Sequence, residues 1–436
     1  MTDSGQAEAM CFFEYISIKH LNEYQPCESW KKTLMFFSQT VPAVRYAAMA
    51  LALVHRNHMD LDSGWPTDKA PVFYYNRAIQ LLLNQEGDDN TEIMAVTLLV
   101  CYLFTCFDYL TGNDVQALKH LGGGVELSKT IDRGKMKDGS ASRCAGSSEI
   151  STLISHVTRQ IRRLDMQAGM FLVDWTPTDM LDASPPSDSA FQSLNQAADQ
   201  LQILLARVMR LYITEQQLSL LGEMPPLLSS SLKAVVLEQL ETWSGLFENC
   251  LQQGNCYETH FEAHSLASRL RLQYSMAWIL LRGYGPGREM DYDDYLPQFQ
   301  QCVALACDVA TAHERFSQSL KPTFTPEIGV IPVLYVIGVK CRHPVVRRNA
   351  LNILRRQPVR EAAWDSISIA RIVERVIEIE EGGFEITQSM ERIPVWQRIE
   401  ALSWVHVDDG GQSATRLEII YTFCAQEGVH VESLVL

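Results

Sequence analysis

The sequence predicts an all-α fold: a single large multi-helix domain with a short mixed or β-containing C-terminal tail. Apolar residues recur at helical spacing through almost the whole chain, and strand-like patterns occur only from about Phe384 onward. Hydrophobic residues make up 47% of the 436 residues and charged residues 20%, which is ordinary for a globular protein. We place the helical domain at residues 1–380 and a C-terminal extension, packed on the same domain, at residues 381–436.

The first half of the chain alternates predicted helices with two polar loops. The helices are expected at Val41 to His55, Phe73 to Leu83, Thr91 to Leu110, Asn113 to Thr130 and Ile150 to Val173. The third of these is apolar nearly all round and is therefore predicted to be buried, and the fourth is interrupted by Gly122, Gly123 and Gly124. Residues 131–149 are rich in Gly, Ser and Lys, and residues 176–190 are polar with prolines, so both are expected to be mobile loops.

Helical periodicity resumes in the second half and continues to residue 379. The segments are Phe191 to Leu221, Leu227 to Gln253, Thr259 to Leu281, Leu296 to His313, Val330 to Cys341, Pro344 to Arg356 and Trp364 to Ile379. In the tail, RLEIIYTFCA and VHVESLVL are predicted as short strands at the edge of the helical body.

Charge and cysteine spacing exclude several classes of protein. The net charge of −15 is the wrong sign for a protein that coats nucleic acid with its whole surface. The eleven cysteines are widely spaced and none forms a Cys-x-x-Cys pair, so no zinc module, metal site or cofactor is predicted. Most of them lie in apolar helical stretches, as buried thiols do in a reducing compartment. No basic–apolar leader and no spanning apolar run occurs, so no membrane association is expected.

Three polar clusters contain residue types that could carry chemistry. Cys256, His260 and His264 share one helical face, but a metalloprotease motif needs Glu where Phe261 stands, so a partly exposed polar face is favoured. His55 and His58 receive the same interpretation. The acidic run Asp291, Asp293 and Asp294 could bind magnesium, but it directly precedes a predicted helix, and capping is favoured. No nucleophile motif occurs, so no catalytic residue is predicted and the protein is not expected to be an enzyme.

Two further features carry sharper expectations. Asp108 lies in the apolar run Leu98 to Leu110, so it should be buried and should contact a backbone amide or an arginine. Lys340 to Arg360 holds seven Lys and Arg residues and no acid, and an acidic helix follows it. This block is either a nucleic-acid or nuclear-import patch or a basic helix paired with the acidic one, and pairing is favoured.

The segment Pro326 to Ser366 resembles the regulatory, or middle homology, region of fungal zinc-cluster transcription factors. Its characteristic residues are Ile331, Pro332, Lys340, Cys341, Arg342, Pro344, Arg347, Arg348, Arg355, Arg356, Arg360, Glu361, Trp364 and Asp365. Similar stretches, including ALKHLGGGVEL and RRLDMQAGMF, follow in the family's order over about residues 10 to 430. The basic residues of this set, with Trp364 and Asp365, are expected to form a structural or interaction signature.

The resemblance implies a transcription regulator in the nucleus, with the cytoplasm as the alternative. Such a regulator would control a fungal gene cluster, and secondary-metabolite clusters are among the targets that the resemblance implies. The family's zinc module needs six closely spaced cysteines, which Cys11 and Cys27 cannot supply. Direct sequence-specific DNA binding is therefore not expected, and the predicted partner is a protein such as a full-length zinc-cluster factor. A homodimer and a small-molecule effector stay open. Two alternatives remain: a helical scaffold recruited as a biosynthetic enzyme or small-molecule binding protein, and a fragment of a longer zinc-cluster factor.

Overall fold

A computed structural model describes most of the chain. The described residues are 3–60, 69–84, 90–137, 147–171, 175–177, 190–221, 227–253, 260–283, 288–317, 320–382, 393–407, 416–424 and 426–435. Residues 178–189 of the predicted loop 176–190 lie outside these ranges, as do residues 138–146 of the first predicted loop.

Up to residue 171, all regular secondary structure in the described part of the chain is helical. Its helices are α1 Asp3–Phe12, α2 Ile18–Leu21, α3 Glu28–Thr40, α4 Pro42–Met59, α5 Ala70–Leu83, α6 Asn90–Leu110, α7 Asp114–Lys137 and α8 Ser147–Phe171, with a π-helical turn Phe13–Ser17 between the first two. α4 begins at Pro42, whose fixed φ suits the first helical turn and whose absent N–H is not needed there. α6 lies at the centre and packs on α4, α7 and α8.

Helices also form most of the second half, and two small sheets complete it. The helices are α9 Leu194–Leu220, α10 Leu227–Gln252, α11 His260–Arg282, α12 Leu296–Ser317, α13 Ile331–Lys340, α14 Pro344–Arg356 and α15 Ser366–Glu381, with 3-10 turns at Arg288–Tyr295 and Val395–Gln397. The strands are β1 Thr323–Thr325, β2 Val359–Glu361, β3 Trp364–Asp365, β4 Ile399–Val407, β5 Arg416–Phe423 and β6 His430–Val435.

The strands form two separate sheets of three. In the first, β1 runs parallel to β2, and β2 runs antiparallel to β3. In the second, β4, β5 and β6 form an antiparallel meander, and β4 also packs on α9. The predicted fold class, all-α with a short β-containing tail, is confirmed.

α6 is long and apolar enough to cross a bilayer by length and composition. In this structure most of its apolar stretch is buried against neighbouring helices, so it serves as a core helix. An apolar helix surrounded by other helices buries its whole circumference, which explains why its sequence lacks a polar stripe.

The predicted interruption of the fourth helix is wrong, because α7 continues without a break through Gly122, Gly123 and Gly124. A Cβ at Gly124 would lie 3.0 Å from Ile161 Cδ1 and 3.5 Å from Cys101 Cβ. Glycine therefore allows α7 to approach α6 and α8 closely. The first predicted loop is also too long: its residues up to Lys137 continue α7, where Ile131 is buried, and Ser147 already begins α8.

Candidate functional site

The basic segment lies on two consecutive helices in the second half of the molecule. α13 is buried over its whole length and ends at Lys340, and α14 begins at Pro344 after three intervening residues. The side chain of His343 caps α14 by accepting a hydrogen bond from Val346 N. This short connection brings Lys340, Arg342 and Arg347 close together in the interior.

These three cations and two carboxylates make a group that we call the buried ion cluster: Lys340, Arg342, Arg347, Glu289 and Glu380. Arg342 donates to Glu289 Oε2 at 2.7 Å and to Glu380 Oε1 at 2.8 Å. Lys340 Nζ donates to Glu289 Oε1 at 2.7 Å, and Arg347 Nη2 donates to Glu380 Oε2 at 2.8 Å. No member is more than 3% exposed, so the charges stabilise one another almost without water.

Backbone groups of β4 complete the buried ion cluster. The amide of Ile399 donates to Glu380 Oε1 at 2.9 Å, and the carbonyls of Ile399 and Glu400 accept from Arg342 and Lys340. The cluster thereby ties the 3-10 turn at Arg288–Tyr295, α13, α14, α15 and the C-terminal sheet together.

The electrostatic balance keeps the cluster charged. Burial opposes ionisation of Arg342, but the carboxylates of Glu380 and Glu289 outweigh it and raise the Arg342 pKa. For Glu380 burial likewise favours the neutral form, yet Arg342 and Arg347 hold its pKa below the usual range. Burial is the stronger influence at Arg347, whose pKa is lowered. Burial of all five side chains and the close ion pairs between them suit a structural clamp rather than acid–base catalysis.

The remaining arginines of the basic segment also pair within the molecule. Arg348 donates to both Glu381 oxygens, at 3.0 and 2.5 Å. The other pairs are Arg355 with Glu374 at 2.6 Å, Arg356 with Glu314 at 2.6 Å and Arg360 with Asp114 at 3.9 Å. The geometry is that of the pairing alternative. α15 supplies acids for four of the arginines in the segment, Arg342, Arg347, Arg348 and Arg355.

Trp364 and Asp365 have separate structural roles next to the cluster. The Trp364 ring lies 5.5 Å from the ring of Trp404 on β4 and 5.8 Å from that of Tyr335 on α13. This aromatic group joins the helical body to the C-terminal sheet. The Asp365 side chain caps α15 by accepting from Ser368 N at 2.8 Å.

Outside the buried ion cluster, the buried carboxylate of Glu361 on β2 holds the start of α13. It accepts from the backbone amides of Gly329, Val330 and Ile331 at 2.9 to 3.1 Å, and from the Tyr24 hydroxyl at 2.6 Å. Burial raises the pKa of Glu361, and these four hydrogen bonds act in the opposite direction. Carboxylate oxygens facing the first amides of a helix also benefit from the helix dipole.

Sequence reasoning did not identify Glu289, Glu361 or Arg398 as structural groups. Glu289 lies two residues before the acidic run of Asp291, Asp293 and Asp294. Arg398 is buried and donates two hydrogen bonds, of 2.9 and 2.6 Å, to the Asp293 carboxylate. The Asp293 carboxylate is therefore paired with the C-terminal region, a contact that the capping interpretation did not include. A carboxylate 51 residues upstream of its partner leaves no signal in local sequence.

The expectation for Asp108 is half right. Its side chain is buried, but its near neighbour is His120, with Nε2 3.6 Å from Asp108 Oδ2, rather than an amide or an arginine. Burial raises the Asp108 pKa to about 7. His55 Nδ1 is hydrogen-bonded to Ser17 Oγ at 3.0 Å. His58 Nε2 lies 3.3 Å from the Thr323 carbonyl oxygen, so each histidine has a protein partner.

Metal and nucleophile candidates gain no support in the described ranges. Within them no group of three or more His, Cys, Asp or Glu side chains is placed to hold a metal ion. Cys256 and the side chain of His260 lie outside the description, and His264 is exposed. Burial raises the pKa of the Cys341 and Cys101 thiols to about 11, which keeps them protonated and unreactive.

Comparison with known proteins fits this architecture. The family described as the fungal specific transcription factor domain matches residues 10–355, which is most of the chain. The chain belongs to this family. The aspercryptin biosynthesis cluster-specific transcription regulator of Emericella nidulans is similar to it, with 22% identity over an alignment of 448 positions that covers 82% of this chain and 72% of the relative. No solved structure matches.

The family match places the buried ion cluster in context. The matched range ends at residue 355, so it contains α13 and nearly all of α14, whereas Glu380 and β4 lie beyond it. In this fungal transcription factor domain, the basic residues within the matched range are thus paired largely with acids and backbone groups that lie after residue 355. The family is one of transcription regulators and not of enzymes.

Proposed function

We propose that this fungal transcription factor domain controls a gene cluster in the nucleus through a protein partner, such as a full-length zinc-cluster factor. Family membership over residues 10–355 carries the regulatory part of the proposal. The similar Emericella nidulans protein is named as a cluster-specific regulator of a biosynthesis pathway, which supports a gene cluster as the target.

The indirect route is supported by the fate of the basic segment. Lys340, Arg342 and Arg347 are buried, and Arg348, Arg355, Arg356 and Arg360 each have a carboxylate partner. Affinity for a phosphate backbone comes from cations that are free to displace counterions. Cations that are already paired with carboxylates contribute little to this affinity, and the whole chain carries a net charge of −15.

Deletion of the gene in its native host tests the regulatory function. Transcripts of a neighbouring biosynthetic cluster should change and should return to their original level when the wild-type gene is restored. A chain carrying Arg342→Met should fail to restore them, because it loses the buried ion cluster. Arg371→Met, which changes a partly exposed arginine of α15, should restore them. Unchanged transcripts together with an altered metabolite profile would contradict the proposal and favour an enzyme or carrier.

Cross-linked co-purification from nuclei tests the partner. The tagged chain should enrich a protein that carries its own DNA-binding module, relative to the tag alone. A cytoplasmic distribution under inducing conditions, or changed transcripts with no enriched DNA-binding protein, would contradict the indirect route.

A further inference from the structure

A small cavity lies between α11, α12 and the segment that joins α2 to α3. We call it the Arg269 cavity; residues that line it include Tyr24, Pro26, Leu266, Arg269, Val309 and Phe316. Its volume is about 80 Å³. A water molecule needs roughly 10–15 Å³ of such space, so the cavity can hold about five to eight non-hydrogen atoms.

Arg269 brings a buried cation without a partner to this cavity. The residue is 5% exposed, and its guanidinium carbon lies 4.3 Å from the centroid of the Tyr24 ring. Within the described part of the chain, the guanidinium forms no hydrogen bond and no salt bridge. None of its nitrogens is among the unpartnered atoms that are closed to water, so its N–H groups are open to the cavity. Arginine is almost never buried unless it is paired, so this one indicates a ligand.

The carboxylates near Arg269 are already engaged with other cations. Glu327 accepts a hydrogen bond from Arg163, and Glu23 pairs with His313. Burial lowers the Arg269 pKa, and Glu327 and Glu23 oppose this effect without overcoming it. The Arg163 cation disfavours the charged form further. An anion bound at the Arg269 guanidinium would supply the negative charge that these neighbours do not.

The other walls of the cavity decide what kind of anion fits. Leu266, Val309 and Phe316 present carbon surface, so the rest of the ligand should be apolar. Glu23 also lines the cavity and would repel a second negative charge. The planar guanidinium matches the two oxygens of a carboxylate. We propose that the Arg269 cavity binds a short aliphatic monocarboxylate, with its oxygens on the guanidinium and its chain against these apolar side chains.

A ligand in the Arg269 cavity would also contact a residue that supports α13. Tyr24 lies beneath the guanidinium, and its hydroxyl donates to Glu361 Oε1 at 2.6 Å. Glu361 in turn accepts from the amides of residues 329–331 at the start of α13. A role of the ligand as an effector follows from this connection and rests on the proposed function, whereas the binding itself does not.

Calorimetric titration of the purified chain with butyrate tests the proposal. Butyrate has six non-hydrogen atoms, and butyramide is the matched uncharged probe of the same size. Butyrate should bind saturably with a Kd of about 1 mM or lower, and butyramide at least about tenfold more weakly, because it lacks the charge. Inorganic phosphate should bind more weakly than butyrate, since it has no apolar part. No saturable heat with butyrate, equal binding of butyramide, or tighter binding of phosphate would overturn the proposal.

Matched arginine variants place the carboxylate at Arg269. Arg269→Gln should weaken butyrate binding at least about tenfold, and Arg269→Lys should retain part of it, because lysine keeps the charge but not the paired donors. Arg271→Gln changes an arginine of the same helix that pairs with Glu248 outside the cavity, and it should bind like wild type. Equal affinities in Arg269→Gln and Arg271→Gln would overturn the site.

A second pair of variants tests the cavity while keeping Arg269. Ala312→Leu places a larger side chain in the cavity wall and should abolish butyrate binding, whereas Ala304→Leu, at an exposed position of α12, should not. Undiminished binding in Ala312→Leu would overturn the site. Circular dichroism checks that each variant is folded. Failure of butyrate binding leaves the transcript test untouched, and normal binding with unchanged transcripts would count against the proposed function alone.

Discussion

Arg342 and Glu380 form a buried ion pair in which Nη2 lies 2.8 Å from Oε1 and neither side chain is more than 1% exposed. Glu380 is near the end of α15, and Arg342 lies between α13 and α14. Both side chains also bond to the backbone of Ile399: Arg342 donates to the Ile399 carbonyl oxygen, and Glu380 accepts from the Ile399 amide. One pair therefore links the helical body to the first strand of the C-terminal sheet.

Arg342→Met should lower the free energy of unfolding by about 3 to 5 kcal/mol, because it leaves Glu289 and Glu380 buried with too little positive charge. Urea denaturation followed by circular dichroism measures the loss. Arg371→Met removes a partly exposed pair with Glu374 and should change stability by less than about 1 kcal/mol. An Arg342→Met protein as stable as wild type would show that the cluster does not clamp the fold.

Arg348→Ala and Arg356→Ala should each cost about 0.5 to 1 kcal/mol, because both arginines lie at the surface and make close two-oxygen contacts with one carboxylate. Chemical denaturation checks the values. If the variants keep wild-type stability but lose nucleic-acid binding or nuclear import, the result would instead support the alternative that the basic segment is a nucleic-acid or nuclear-import patch.

Gly329→Ala should destabilise the protein by about 1 to 3 kcal/mol, because overpacked sites force neighbouring groups to move. The new Cβ would overlap the Tyr24 ring and lie 2.8 Å from Glu361 Oε1. Gly245→Ala is the matched control: it lies exposed in α10 with open space around its Cβ, so it should stabilise by about 0.5 to 1 kcal/mol. Thermal unfolding compares the two, and equal effects would contradict the close approach at Gly329.

Acidification should destabilise the protein in part through His20. Burial, followed by the neighbouring His313, Lys19 and His58, lowers the His20 pKa to about 3 from an ordinary value of 6.5. Between these values the unfolded chain binds more protons, so stability is lost as the pH falls below about 6.5, by at most about 1.4 kcal/mol per pH unit for one group.

His20→Phe should flatten this acid limb, since it removes the group that gains a proton on unfolding. Urea midpoints from pH 7.5 to 4.5 measure it. His264→Phe changes an exposed histidine and should retain the wild-type slope. An unchanged slope in His20→Phe would contradict the assignment.

Asp108→Asn should stabilise the protein at pH 8 by roughly 1 to 3 kcal/mol, the range for an uncompensated buried polar group. Burial raises the Asp108 pKa to about 7, so the folded state holds a proton that the unfolded state releases, and wild-type stability falls as the pH rises toward 7. The gain should shrink at pH 5, where Asp108 is neutral in the folded protein. Asp308→Asn, at an exposed site, should be neutral at both values, and a gain independent of pH would contradict the mechanism.

Helical periodicity was enough to predict most helices and the position of the β-containing tail, because burying one stripe per helix requires that spacing. It failed at Gly122 to Gly124, where local propensity argues for a break but close packing against Ile161 favours glycine. The charge pattern correctly placed acids opposite Arg347 and Arg348. It could not assign partners to Glu289 or Glu361, because their contacts depend on how distant segments meet in three dimensions.

Fluorescence anisotropy of the purified chain with DNA from the target cluster's promoters tests the indirect route most directly. With its basic segment paired internally, the chain alone should show no saturable binding at about 0.15 M salt, and binding should appear only when the co-purified partner is added. Sequence-selective binding by the chain alone, with a salt dependence that Arg348→Ala or Arg356→Ala reduces, would contradict the account.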